Sequence, residues 1–426
     1  MNRTTRTVAL GMALGLWAAA LEAQSPARRV SIDEALSLFA ANNLDLRIAR
    51  LEAAEFRGIA RQAGAFPNPT MSVTHEPLSG GAVDYSESYF TLSQRLELPG
   101  QRSARTEGAE WAVRAAEARF GADSVRLAFE VKRTYVQAVL AEDLLAVTER
   151  VAGVFRVAAR SAVIREAEGD ISHYELRRIL VERSRYETLL ADAEIRASSV
   201  RRSLALLILP ESDLAEVSPT GLDADTPPEP AFDFIAREVA SRRQEIAAAQ
   251  AAVEAAVANV RLRRAERVPG VTATGGYKRQ ADGLRGAFIG VAIPIPLFNR
   301  NAGAVAGAEA RVGTLETRLG LTRRQVDNDL RRAVESYESV KRRANLLGND
   351  VLDASSDLLQ IAQVAYDLGE MGLLEILDAA EALSGAREAS AQLKADLWTA
   401  YYNLERAIGG FDAASQSATT DPETQR

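Results

Sequence analysis

The chain has 426 residues, 47% of them apolar and 26% charged, with a formal net charge of -7. That much charge excludes a bundle of membrane-spanning helices, and the acidic balance gives nucleic-acid binding no electrostatic support. With no cysteine there are no disulfides, no thiolate metal sites and no lipid-bearing N-terminal cysteine.

The first residues, MNRTTRTVALGMALGLWAAALEAQS, carry Arg3 and Arg6, then an apolar run from Val8 to Leu21, then small residues. This is the layout of an export signal, so residues 1–23 are expected to be removed, by cleavage after Ala23 or after Ala20. Ser31 to Ala65 reads as helix, opened by a capping box of Ser31 and Glu34 and ended by Pro67 and Pro69. Strands are expected at about 69–77 and, past a Gly-Gly turn, at about 86–98. In the second of these Phe90, Leu92, Leu96 and Leu98 alternate with Tyr89, Thr91, Ser93, Arg95 and Glu97, a period of two with one apolar face. The string LELPGQR then closes the strand at Pro99 and Gly100.

No proline follows Pro99 until Pro210, and none follows Pro296 until Pro422. Both gaps are rich in Ala, Leu, Arg and Glu, the strong helix formers. A proline- and acid-rich linker, 210–231, separates two halves that repeat: a first repeat over 30–209 and a second over 232–410. GDISHYEL at Gly169 matches GEMGLLEI at Gly369, pairing Glu175 with Glu375. GAE recurs at Gly108 and Gly307, AFPNPT around Pro67 matches RVPGVT around Pro269, and LELPGQR matches PIPLFNR. The second repeat accordingly has strands at about 270–280 and 285–296, the latter broken by Pro294 and Pro296. Asn299 or Asn301 is expected to cap a long helix over about 301–366, roughly 100 Å at 1.5 Å per residue. Its seam runs through Val312, Leu315, Leu319, Thr322, Val326, Leu330, Ala333, Tyr337, Val340, Ala344, Leu347, Val351, Ala354, Leu358, Ile361 and Ala365, in steps of three and four. The tail, 411–426, is polar and reads as disordered.

Four amphipathic strands cannot close a membrane barrel, because the smallest have about eight and an open edge in lipid is prohibitive. Either several chains share one barrel or the hairpins are soluble and pack on a helix. No residue pattern supports an enzyme or a cofactor. His75 and His173 are far apart and read as surface residues rather than metal ligands. The Gly-rich GYKRQADGLRG lies between strands, so it is a turn and not a phosphate loop. Glu375 and Asp378, three apart, share one face at the start of the last helix, where a solvated face is the commoner reading.

The order of elements, the LELPGQR and IPLFNRN exits and the string YDLGEMGLLEILDAAEALSGAREASAQLKADLWTAYYNLERAIG resemble the TolC family of outer-membrane efflux channels over about Val30 to Gly410. The two exits are most similar to its heavy-metal-efflux (CzcC-like) subgroup. The resemblance implies a mainly α fold with a β membrane segment: a homotrimer with one twelve-stranded outer-membrane barrel continued by a periplasmic α-helical barrel. It implies a Gram-negative-type outer membrane with its lipid, a periplasmic adaptor protein and an inner-membrane RND pump as partners, and passive export of metal cations. Drug efflux or type I secretion is the alternative cargo; a periplasmic adaptor and a soluble coiled-coil scaffold are the rivals from other classes. In the family, acids at the positions of Glu375 and Asp378 ring the periplasmic tip, Tyr366 falls on a tyrosine that clasps neighbouring coils, and Glu175 takes the acidic partner position. The multidrug prototype has an arginine four residues before the first ring acid; here Met371 stands there, so that clasp must be made differently.

Overall fold

The computed structural model describes residues 28–78, 85–210, 217–222, 224–229, 243–346 and 349–410. The expected leader, the Gly-Gly turn and the tail lie outside them. In chain order the elements are β1 (Arg28–Val30), α1 (Ile32–Asn42), α2 (Leu44–Ala63), β2 (Thr70–Leu78), β3 (Tyr85–Leu96), α3 (Gln101–Glu168), α4 (His173–Ile208), β4 (Val217–Pro219), α5 (Gln244–Ala265), β5 (Val271–Gln280), β6 (Arg285–Ala292), α6 (Ala302–Leu346), α7 (Asn349–Asp367) and α8 (Leu373–Ile408). Among the described residues no helix is long and apolar enough to cross a membrane.

β2, β3, β5 and β6 form one antiparallel sheet in that order. Its registers, Val73 opposite Phe90, Phe90 opposite Tyr277 and Gly275 opposite Ile289, sort the side chains into two faces. One carries Met71, Val73, Phe90, Leu92, Tyr277, Ile289 and Val291, all exposed to the surroundings of a single copy. The other carries Ser72, Thr74, Thr91 and Ser93, with Glu87 paired to Lys278 at 2.8 Å and Ser93 Oγ 2.9 Å from Thr274 Oγ1. An apolar face against lipid and a polar face inward is the pattern of a barrel wall. Gly276 on the polar face lies under the Phe288 ring; a Cβ there would come within 2.5 Å of it, so the cross-strand pair requires glycine.

Below the sheet α3, 68 residues and about 100 Å long, is the spine on which α2, α4, α5 and α8 pack. At the joint, Gly100 is left-handed (φ 94°) directly before α3. Arg105 pairs with Glu97 and donates from Nε to the Ala63 carbonyl (2.7 Å), Arg102 donates to the Gly64 carbonyl (2.9 Å), and Gln101 donates to the Val268 carbonyl (2.9 Å). Side chains of α3 thus satisfy the open carbonyl ends of α2 and of the α5 exit. The second joint differs from expectation. β6 stops at Ala292 rather than 296, so Pro294 and Pro296 lie beyond the strand, and the left-handed residue before α6 is Asn301 (φ 58°). The Asn299 side chain accepts from the Asn301 N–H (2.9 Å), and Asn301 Nδ2 donates to the Arg263 carbonyl (2.8 Å); the asparagines build the turn and close α5.

Three further expectations are corrected: the single first helix, its capping box and the seam along α7. The single helix over Ser31 to Ala65 is two, because Asn43 ends α1 and its Oδ1 accepts from Leu46 N–H (2.9 Å) to start α2. Ser31 caps α1, but Glu34 turns its carboxylate to Arg28 (2.7 Å), so the box is half made. The helix over 301–366 is described as α6 and α7, with Leu347 and Gly348 outside the described residues. The expected seam holds along α6 through Val326, Ala333, Tyr337 and Val340, all buried. Along α7 the buried positions are Ser355, Leu359, Ala362 and Tyr366, one residue past the expected ones, and Leu358 and Ile361 stand more than half exposed, whereas Ala365 is buried as expected.

Within the linker, residues 217–222 and 224–229 are described. β4 pairs in parallel with β1, and Trp398 Nε1 donates to the Ala224 carbonyl (3.1 Å). Asp225 meets Lys394 at 2.8 Å and Glu229 meets Lys341 at 2.6 Å, laying the segment across α8 and α6. Beneath it Tyr135, fully buried, donates to the carbonyls of Val30 (3.1 Å) or Gly221 (2.9 Å), tying α3 to both. Tyr135→Phe is expected to lower stability by about 1–2 kcal/mol, the cost of losing a buried hydrogen bond that ties α3 to the linker. The check is the guanidinium midpoint of the purified protein, and an unchanged midpoint would remove this tie from the account.

Candidate functional site: the paired helical turns

Both long hairpins turn back by the same device, as the repeated strings require. α3 ends at Gly169 (φ 85°), whose N–H reaches the Glu166 carbonyl, and Asp170 N–H reaches the Arg165 carbonyl (2.8 Å). α7 is closed at Gly369 (φ 78°), with Gly369 N–H on the Tyr366 carbonyl (3.0 Å) and Glu370 N–H on the Ala365 carbonyl (2.8 Å). Only glycine adopts this backbone without strain, which is why it recurs at the same place in each repeat. The return helices are then capped by the two equivalent acids. Glu175 accepts from Ser172 N–H (3.2 Å) while Ser172 Oγ accepts from Glu175 N–H (3.2 Å), a full capping box. Glu375 accepts from Gly372 N–H (3.1 Å), and glycine has no side chain to return the bond.

The four helices meet in one apolar core of Val151, Phe155, Ala159, Ile179, Tyr186, Leu359, Tyr366, Ile376 and Leu383, with Phe155 and Tyr186 stacked at 4.6 Å. The expected site residues separate on this framework. Tyr366 is in the core, 3% exposed, and burial pushes its phenol pKa up, so it stays neutral at ordinary pH. Glu375 and Asp378 lie together on the exposed face of the first turns of α8, outside the core. Glu175 sits at the head of α4, on the other hairpin. His75 is 3.0 Å from Ser88 Oγ on a strand, and His173 is 3.1 Å from Glu166 at the α3–α4 turn, so the structure does not bring the two histidines together. Pro99 and Gly100 stand directly at one joint; Pro294 and Pro296 stand several residues before the other.

The residue that sequence reading missed is Arg165, in the last turn of α3. Its Nη1 donates to the Tyr366 carbonyl (3.1 Å) and its guanidinium lies 5.2 Å from the centre of the Tyr366 ring. It joins the ends of the two hairpins across the sequence repeat. Met371, five residues after Tyr366, is exposed. The cation that bridges the tip therefore comes from the opposite hairpin.

A sheet too small to close on itself, apolar outside and polar inside, continued by two long helical hairpins, defines the subunit of a multi-chain outer-membrane channel. The model of the outer membrane efflux protein family matches residues 235–410 of the chain. It is similar to the cobalt-zinc-cadmium resistance protein CzcC of Cupriavidus metallidurans, 27% identical over 390 residues, 89% of this chain and 90% of that protein. It is also similar to the nickel-cobalt-cadmium resistance protein NccC of Alcaligenes xylosoxydans, 26% identical over 326 residues, 73% of this chain and 70% of that one. The solved structure of CusC has the same fold, with a TM-score of 0.73 at 20% identity over 90% of this chain and 93% of CusC. The chain is a passive channel component and not an enzyme.

Arg165→Ala removes a charge-assisted bond and a ring contact, together worth about 1–2 kcal/mol at a partly exposed site. Amide exchange at residues 364–372 is expected to speed up roughly tenfold, the rate equivalent of about 1.4 kcal/mol, with exchange in the sheet unchanged. Equal exchange in the two proteins would show that Arg165 does not hold the tip.

Proposed function

We propose that this chain is the outer-membrane channel of a tripartite, RND-driven efflux system, and that its cargo is metal cations. Three copies share one twelve-stranded barrel in the outer-membrane lipid, and their hairpins form the tunnel that extends into the periplasm. A periplasmic adaptor and an inner-membrane pump supply selection and energy. The repeats 30–209 and 232–410 are the two halves of each copy, with 210–231 as the belt between them. Pro99 and Gly100, and Pro294 and Pro296, mark where each half passes from barrel to tunnel.

The observation that carries the cation reading is the pair Glu375 and Asp378, exposed side by side at the tip with Met371 and no cation beside them on that turn. Repeated around a threefold axis, the pair gives a ring of six carboxylates. Each unit charge acts on an ion 10 Å away with about 0.4 kcal/mol in water, so a ring biases entry several-fold toward cations. Tyr366 and Glu175 brace this constriction, Tyr366 through the Arg165 contact and Glu175 by fixing the opposite turn. The names of the two resistance proteins it resembles agree with a metal cargo.

Glu375 also caps its helix whereas Asp378 does not, which separates charge from structure. In planar bilayers under a salt gradient, Asp378→Asn is expected to lower the cation-to-anion permeability ratio about two- to threefold with stability unchanged. Glu375→Gln is expected to lower the ratio similarly and cost about 0.5–1 kcal/mol besides. A ratio unmoved in the double variant would refute the selectivity ring.

A further inference from the structure

The four-stranded sheet leaves β2 and β6 each with one unpaired edge, and the described residues contain no other strand placed to cover either. Inside the chain the two repeats meet in the sheet at the β3–β5 pair. We propose that β6 pairs with β2 of a second copy in the register of that internal pair, with Ala292 opposite Ser72 and Val291 opposite Val73. The proposal rests on the shared-barrel reading and goes beyond it by fixing how neighbouring copies align.

The register follows from the repeat. Pro67 recurs at Pro269, and the same spacing carries Ser72 onto Thr274 and Val73 onto Gly275. Gly108 recurs at Gly307 in GAE, and that spacing carries Leu92 onto Val291 and Ser93 onto Ala292. Within the chain Ser93 lies opposite Thr274 and Leu92 opposite Gly275. Replacing each residue by its counterpart gives the proposed pairs.

The pleat supplies an independent check. The β2–β3 and β5–β6 registers put Val73 on the face of Phe90 and Val291 on the face of Ala273, which is the apolar face in both cases. Ser72 and Ala292 belong to the polar face. A slip of one residue would set Val291 against Ser72 and mix the faces, which a two-sided wall forbids. The alignment of LELPGQR on PIPLFNR gives that mixed arrangement, so the joint, not the strand, absorbs the one-residue difference.

The same template explains an exposed segment. Inside the chain Gln94 and Leu96 lie opposite Ala273 and Val271. Their counterparts set Ile293 opposite Met71 and Ile295 opposite Pro69 of the neighbour. In one copy β6 ends at Ala292, and Ile293 and Ile295 are 62% and 75% exposed. Pairing lengthens β6 through this stretch and covers the unpaired edge of β2.

The absence of native cysteine makes the test clean. Residues directly opposite in an antiparallel pair have Cα atoms about 4.5–5.5 Å apart, within disulfide reach, and a two-residue slip moves them to roughly 8 Å, outside it. Membranes carrying Ser72→Cys with Ala292→Cys are oxidised with copper phenanthroline, alongside Thr70→Cys or Thr74→Cys with Ala292→Cys. The expected result is covalent dimers and trimers at ten times the yield of either slipped pair or more. Val73→Cys with Val291→Cys reads the same register from the lipid face if the first pair disturbs assembly. A slipped pair that dominates, or no cross-link in a protein that still runs as a trimer, overturns the register and leaves the shared barrel standing. A protein that runs as a monomer overturns both.

Discussion

Backbone amides and carbonyls cannot be left unpaired in hydrocarbon. Four strands leave two open edges per chain, and everything else in the molecule is consistent with that debt being met by further copies. The sheet is apolar on one face and polar on the other, and its two edges run antiparallel, as closure by a like edge demands. The helices under it also leave apolar stripes uncovered in a single copy, among them Leu44, Ile48 and Leu51 of α2 and Leu358, Ile361 and Val364 of α7. A helix that packs one seam within its own chain and shows a second outward is built for a ring of hairpins.

The duplication converts this constraint into a machine with matched ends. At the membrane end, left-handed Gly100 and Asn301 lie where the chain passes from strand direction to helix direction, and side chains of α3 and the Asn301 amide close the helices that arrive there. At the far end, left-handed Gly169 and Gly369 and the caps of Glu175 and Glu375 reverse both hairpins alike. Between the two ends the linker crosses α8 and α6. It is fastened by the β4–β1 pairing, by Val217 in the buried cluster of Val30 and Tyr135 and by the Trp398 bond, with Asp225 and Glu229 adding exposed ion pairs. Lys132 and Glu405, both mostly buried and within 2.7 Å, lock α3 to α8 at the same level.

Much of this was legible in the sequence because the signals are local. Period-two alternation gave the strands to within a few residues, proline-free composition gave the long helices, and the twin glycines gave the turns. What escaped depended on partners distant in sequence. Asn43 divides α1 from α2 partly because its amide reaches the Leu207 carbonyl across the fold. The seam of α7 was misread by one residue because two adjacent stripes are apolar, and periodicity cannot tell the one kept inside the chain from the one left outside. Glu375 and Asp378 were recognisable as an exposed acidic pair, but the capping bond of Glu375 becomes visible only when the turn is built. Arg165 was invisible because its partner, Tyr366, lies in the other repeat.

The central claim is that this sheet is a third of a barrel. Native mass spectrometry of the protein released from detergent micelles reads that directly. The account predicts particles of three chains that hold together until the strands unfold. A single chain per particle, with its β-structure intact in lipid, would contradict it.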